Sequence, residues 1–99
     1  MSERAFIFKI VKAIEKTFNC FCFAKVDRNA RGVYWWTICV DNPSVYSDKR
    51  FKSLTKSYYK LSKSKGIGVL FAYCHPNEEN LLEYSQRGEL IINVHHDFG

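Results

Sequence analysis

Between residues 49 and 65 the chain carries seven Lys or Arg residues and no Asp or Glu. At about 100° per residue, Lys49, Lys52, Lys56, Lys60 and Lys63 fall within an arc of about 80°, with Phe51, Leu54, Tyr58 and Leu61 on the opposite side. This pattern specifies an amphipathic helix with one side anchored in a core and one basic side left outside. Like charges three and four apart cost a helix roughly 0.2–0.5 kcal/mol per pair, so local helix stability does not account for the lysines. An acidic partner does.

The rest of the chain must supply the surface on which that helix lies. Residues 2–18 read as a helix, with Ser2 as cap and Glu3 favourably placed in the first turn. Phe6, Ile7, Ile10, Val11, Ala13, Ile14 and Phe18 cover one side of it; Lys9, Lys12, Glu15 and Lys16 cover the other. Residues 5–11 also have the β-branched and aromatic content of a strand. Two strands, 20–26 and 33–40, flank a polar loop that carries Arg28 and Arg31, which predicts a hairpin. Both faces of these strands are largely apolar, so the sheet is either covered on both sides or keeps one face for contact. Asp41, Asn42 and Pro43 end the second strand. The basic helix follows, with Ser44 or Ser47 as cap, Asp48 near its positive end and Gly66 as its stop.

Residues 67–74 then read as a short strand, 76–86 as a short acidic helix closed by Gly88, and 90–95 as a last strand. The expected fold is α+β, or mixed α/β: a single four-stranded sheet in the order αββαβαβ, forming one domain over residues 1–99. Helices between the later strands fit crossovers in a mixed sheet, and a fully antiparallel arrangement stays open because the acidic helix is short.

Charge is distributed unevenly. Residues 1–65 hold 14 basic residues against five acids, a net of +9, and residues 66–99 hold Arg87 against five acids, a net of −4. Such a dipolar field steers the basic half toward phosphate or carboxylate surfaces. No apolar run approaches the roughly 18 residues that span a bilayer, and residues 5–11 are too short for a secretory signal. A soluble, cytoplasmic chain with no membrane partner is expected. Cys20, Cys22, Cys39 and Cys74 sit in apolar, strand-like runs without the spacing of a disulfide scaffold, which predicts reduced, buried thiols.

Three groups of residues are candidates for function. The first is the stripe itself, Lys49, Lys52, Lys56, Lys60 and Lys63, with Tyr59 at its edge as a ring to stack on a base or pack on a partner. Lysine is a point charge without the bidentate fork of arginine, so the stripe suits a phosphate backbone better than base reading. The second is Tyr34, Trp35 and Trp36. Alternation sends Trp35 to one face and Tyr34 and Trp36 to the other, so Trp36 is a candidate contact residue, with Arg28 and Arg31 beside it. The third lies at strand ends: Cys39 and Asp41, Cys74 and His75, then His95, His96 and Asp97. If the last three strands run parallel, these gather at the carboxyl edge of the sheet, where open α/β sheets place ligands. Their types suit a transition metal or a His acid/base oriented by Asp. There is no CxxC, no HExxH, no phosphate-cradling glycine loop and no nucleophile elbow, so neither a metal nor a cofactor is expected.

Three functions are compatible with this sequence. One is a noncatalytic protein that docks the lysine helix on a polyanion, either nucleic acid or an acidic protein surface. A small, motif-poor, polarised chain of this kind suits a regulator or inhibitor of a nucleic-acid-handling complex, such as phages and mobile elements encode against host defences. A second is a small nuclease or phosphoryl hydrolase using His75, His95, His96 and Asp97. The third is a self-associating interaction domain, a homo-oligomer pairing the basic half with the acidic half.

Overall fold

The structure, a computed structural model, describes residues 2–75 and 77–92. Helix α1 (Glu3–Phe18) begins where Ser2 Oγ accepts the Ala5 amide, and it ends at Asn19 in the left-handed region, φ 49°. That turn delays the first strand, so β1 spans Cys22–Arg28 and Cys20 lies before it. At its other end β1 runs further than expected. Asp27 is held in the strand by Lys25 Nζ at 2.8 Å and by the Thr37 hydroxyl across the pair, and Arg28 still pairs with Tyr34. Asn29 Oδ1 then accepts the amides of Arg31 and Val33 to close the loop, and β2 spans Tyr34–Val40.

A four-residue helix, α2 (Pro43–Tyr46), follows under an Asn42 cap; it was not anticipated from the sequence. Helix α3 (Lys49–Ser64) is capped by Asp48, whose carboxylate accepts the Arg50 amide at 2.7 Å. Asp48 takes the place expected of Ser44 or Ser47, because Ser44 and Ser47 are engaged in α2 and its end. At the far end the Gly66 amide bonds Lys63 O and the Ile67 amide bonds Ser62 O, with Gly66 at φ 71°. This is the Schellman closure that glycine permits, and it takes Ile67 out of the strand. Strand β3 (Val69–Tyr73), helix α4 (Glu78–Gln86) and strand β4 (Leu90–Ile92) complete the order. Residues 93–95, expected to continue β4, lie outside the described residues.

The sheet order is β3-β2-β1-β4. β1 is antiparallel to β2 and to β4, and β2 is parallel to β3, so β2, β3 and β4 all point the same way. The fold is therefore a mixed α+β sheet, with β3 and β4 at its edges. α1 and α3 share one face. There Phe6, Ile7, Ile10, Val11 and Ile14 pack with Cys22, Ala24, Val26, Trp36, Ile38, Val40, Val69 and Ile91, and Phe51 enters from α3. α4 crosses the other face, where Leu81 covers Phe23, Cys39 and Leu90. Both faces are thus partly covered, and Leu70, half exposed, marks the open corner of the second. No helix among the described residues is long and apolar enough to cross a membrane.

Phe51 is 2 % exposed and its ring meets Phe18 of α1 at 5.7 Å, Tyr46 of α2 at 5.8 Å and Phe71 of β3 at 6.4 Å. Truncating a buried phenylalanine costs about 3–5 kcal/mol, whereas an exposed site away from such packing changes stability by about 0.5 kcal/mol or less. Urea unfolding followed by circular dichroism should place Phe51→Ala in the first class and Tyr59→Ala in the second.

Candidate polyanion-binding surface

α1 and α3 lie side by side and antiparallel. Phe18, at the end of α1, meets Phe51 and the Arg50 guanidinium (5.6 Å) at the start of α3, and Phe6, near the start of α1, lies 5.4 Å from Lys65 Nζ at the end of α3. These contacts fix the roll of α3. Its buried residues are Phe51 and Ser62, the last 1 % exposed with its hydroxyl donating to Tyr58 O at 2.7 Å, and the half-buried Leu54 and Tyr58 pack on the core beside them. Measured from Phe51 at about 100° per residue, Arg50, Leu61 and Lys65 lie on the shoulder toward α1, and Lys52, Lys56, Tyr59 and Lys63 lie on the other. Leu61, expected in the apolar face, is 44 % exposed because it sits about 80° from Phe51 on that first shoulder.

Lys49, Lys52, Lys56, Lys60 and Lys63 are all exposed, and none enters an ion pair among the described residues. The basic charge of Arg50, by contrast, is spent internally. It forms a two-point contact with Asp48, Nε–Oδ1 at 3.3 Å and Nη2–Oδ2 at 3.0 Å. On α1, Lys9, Lys12 and Lys16 are exposed on the side turned away from the sheet, so the outer surface of the helical layer is basic across both helices. The acidic helix α4 lies behind the opposite face, where Glu83 and Glu89 pair with Arg87.

The stripe tilts toward the free edge of β3. There a groove of about 410 Å³ is lined by Tyr46, Phe51, Lys52, Thr55, Lys56, Tyr59 and Phe71. Phe51 and Phe71 form its floor, the exposed rings of Tyr46 and Tyr59 contribute to its walls, and two stripe lysines reach its rim. Tyr46 was missed in the sequence because no periodic segment holds it; Asn42 and Pro43, a cap followed by a first-turn proline, were the signal for the helix that places it.

Trp36, a candidate contact residue, belongs to the core instead. It is 3 % exposed, its Nε1–H donates to Glu3 Oε1 at 3.2 Å and Arg4 stacks over its ring at 5.7 Å. Tyr34 donates to the same carboxylate at 2.9 Å and keeps about half its surface. Trp35 points to the second face and donates to Thr37 Oγ1. Arg28 and Arg31 are exposed at the hairpin end of the sheet, the end at which α3 finishes, and Arg28 pairs with Glu89 at 3.4 Å. They are not part of the groove.

At the carboxyl edge, the structure brings Cys39 and Cys74 together from β2 and the end of β3. Cys39 hydrogen-bonds the Cys74 sulfur and lowers its pKa, helped by the Lys25 cation, while the Cys39 thiol is raised by that bond and by burial. Burial, with Asp41 and Glu15 nearby, pushes Cys20 up to about 11, and burial holds Cys22 well above the ordinary thiol range. His75 is exposed and shares a 3.1 Å hydrogen bond with the Tyr73 hydroxyl. His95, His96 and Asp97 lie outside the described residues. Among the described residues, no three His, Cys, Asp or Glu side chains are grouped to hold a metal ion.

Compared with family models, curated proteins and solved structures, the chain matches none.

Two predictions follow from the electrostatics. The Arg50 side chain and amide hold the Asp48 carboxyl below its ordinary value of 3.8. A depressed carboxylate adds stability that is complete above the unfolded value and lost as pH falls through the folded one. Asp48→Asn keeps a capping side chain but removes the charge. It should lower Tm at pH 7, and the gap from wild type should close as the pH is taken well below 3.8. The second concerns thiol order: iodoacetamide at pH 8 should label Cys74 before Cys20, Cys22 or Cys39, and Cys39→Ala should slow that labelling, both read by peptide mass spectrometry.

Proposed function

We propose that this protein binds nucleic acid without catalysis, docking the lysine side of α3 on the phosphate backbone. The observation that carries the reading is the set of five exposed lysines on one side of a well-anchored helix, none paired with an acid among the described residues. Four like-charge neighbours at three- and four-residue spacing cost the helix about 1–2 kcal/mol in total. Phosphates relieve that repulsion and release their condensed counterions on contact. Protein interfaces deplete lysine and enrich arginine, so the lysine-rich make-up favours phosphate over an acidic protein surface. The basic layer formed with α1 and the acidic helix behind the sheet also orient the molecule, presenting α3 toward a polyanion before contact.

Fluorescence anisotropy with a labelled 20-nucleotide strand, alone and as a duplex, tests this. Five phosphate contacts predict a slope of log K against log salt of about −3.5 for a single strand and −4.5 for a duplex. Lys52→Glu, Lys56→Glu and Lys60→Glu combined should weaken binding uniformly across sequences and make the slope shallower by about 2–3. His75→Ala, His95→Ala and His96→Ala should leave affinity unchanged. If wild type fails to bind either form at 50 mM salt yet binds polyglutamate through the same lysines, the stripe serves an acidic protein and the reading is wrong.

A further inference from the structure

We infer that the groove beside α3 takes unpaired bases, so that the partner is single-stranded nucleic acid; this rests on the proposed docking of the stripe on phosphate and names which nucleic acid it holds. The lysines and the groove form one continuous feature. Lys52 and Lys56 belong to both, while Tyr59, one turn beyond Thr55, stands between the stripe and Phe71. A strand whose phosphates lie along the lysines therefore has its bases on the groove side or on the solvent side. On the groove side they meet the exposed rings of Tyr46 and Tyr59 above the apolar floor of Phe51 and Phe71.

A base within a duplex is stacked and paired and cannot enter such a groove, whereas an unpaired base stacks on an aromatic ring whatever its identity. Both tyrosines keep 40–47 % of their surface exposed beside an open groove of about 410 Å³. Exposed aromatic rings of this size beside five unpaired cations are the combination that single-strand channels use: a charged track for the backbone and faces for the bases.

The dimensions agree with a short strand. From Lys49 to Lys63 the helix rises about 21 Å. At about 3.4 Å per stacked nucleotide this covers roughly six nucleotides, within the 4–16 that one small single-strand module occupies. Among the described residues neither tyrosine hydroxyl has a hydrogen-bond partner, and the ring faces accept any base because every base has a π-face. Recognition should be tolerant of sequence and selective for strandedness.

The test uses the full chain and a mixed-sequence 12-mer, as DNA and as RNA, each single-stranded and as a duplex. Single strands should bind at least tenfold more tightly than duplex at 50 mM salt. Tyr59→Ala should weaken single-strand binding roughly 5- to 150-fold, Tyr59→Phe should restore it, and neither should change duplex binding more than twofold. Because Tyr46 packs on Phe51, its contribution is read in wild type instead: a bromouracil-substituted strand, irradiated in the complex, should crosslink to Tyr46 or Tyr59. Equal affinity for duplex and single strand, or single-strand binding that is insensitive to Tyr59→Ala but lost in the triple lysine variant, would overturn base stacking and leave backbone docking standing. Failure of every nucleic acid to bind, or preference for polyglutamate, would overturn both.

Discussion

The burial of Phe51 is the interaction on which the rest of the surface depends. One ring touches α1, α2 and β3 through Phe18, Tyr46 and Phe71, so a single side chain anchors the start of α3 against three elements. Aromatic contacts of this kind contribute about 0.5–1.5 kcal/mol each beyond the area they bury, and the burial itself about 1.5–3 kcal/mol. Together they exceed the repulsion among the stripe lysines, about 1–2 kcal/mol. The helix tolerates its lysines because tertiary packing, not its own propensity, holds it. The same ring makes the groove floor, so the anchoring of the cations and the shaping of the aromatic cleft have one cause.

The sheet divides the remaining chemistry between its two faces. On the helical face, Glu3 accepts from Tyr34 and Trp36 while Arg4 reaches the carbonyls of Gly88 and Leu90, tying the start of α1 to β2 and to the entry of β4. Three of the five acids of the basic half are used inside the fold: Glu3 here, Asp27 on Lys25 and Thr37, and Asp48 at the α3 cap. The stripe lysines outside enter no ion pair among the described residues. On the opposite face, Lys25 loses hydration, which pulls its pKa down, but the Asp27 hydrogen bond and charge outweigh that and leave it raised. A cation held so firmly is a structural group, and it also polarises the Cys39 and Cys74 pair next to it.

Much of this architecture was legible in the sequence, and the exceptions have identifiable physical reasons. Periodicity found α1 and α3 because each has one buried line, and the Ser2 cap was readable because its neighbours offer no competing bond. The α3 cap was misplaced because Asn42, Ser44, Ser47 and Asp48 are all competent caps, and only the presence of α2 assigns them. Alternation placed Tyr34 and Trp36 on one face correctly, but could not say that Glu3 and Arg4 would cover Trp36, since that depends on contacts 33 residues or so distant in sequence. The stripe was visible as charge; the groove was not. It joins Tyr46, Phe71 and a little over two turns of α3, and only the parallel pairing of β2 with β3 puts those segments side by side.

On the proposed reading, the two halves of the site work over different distances. The field of the helical layer acts out to a Debye length, about 8–10 Å at physiological salt, and is the same for any polyanion. The groove acts only at contact, where an aromatic ring meets a planar group, and water and salt weaken that term far less. Lysines held on a flexible stem adapt to any phosphate path, whereas Tyr46 and Tyr59 are positioned by Phe51 and by the backbone of α3. Affinity at low salt is then set by the adaptable part and discrimination by the rigid part. Rising salt weakens the first and leaves the second, so the fold-loss caused by Tyr59→Ala should hold constant as overall binding weakens. By electrostatics alone the steeper duplex slope, about −4.5 against −3.5, already raises the single-strand to duplex ratio about tenfold per decade of salt, so it is the Tyr59 effect, not that ratio, that reports stacking.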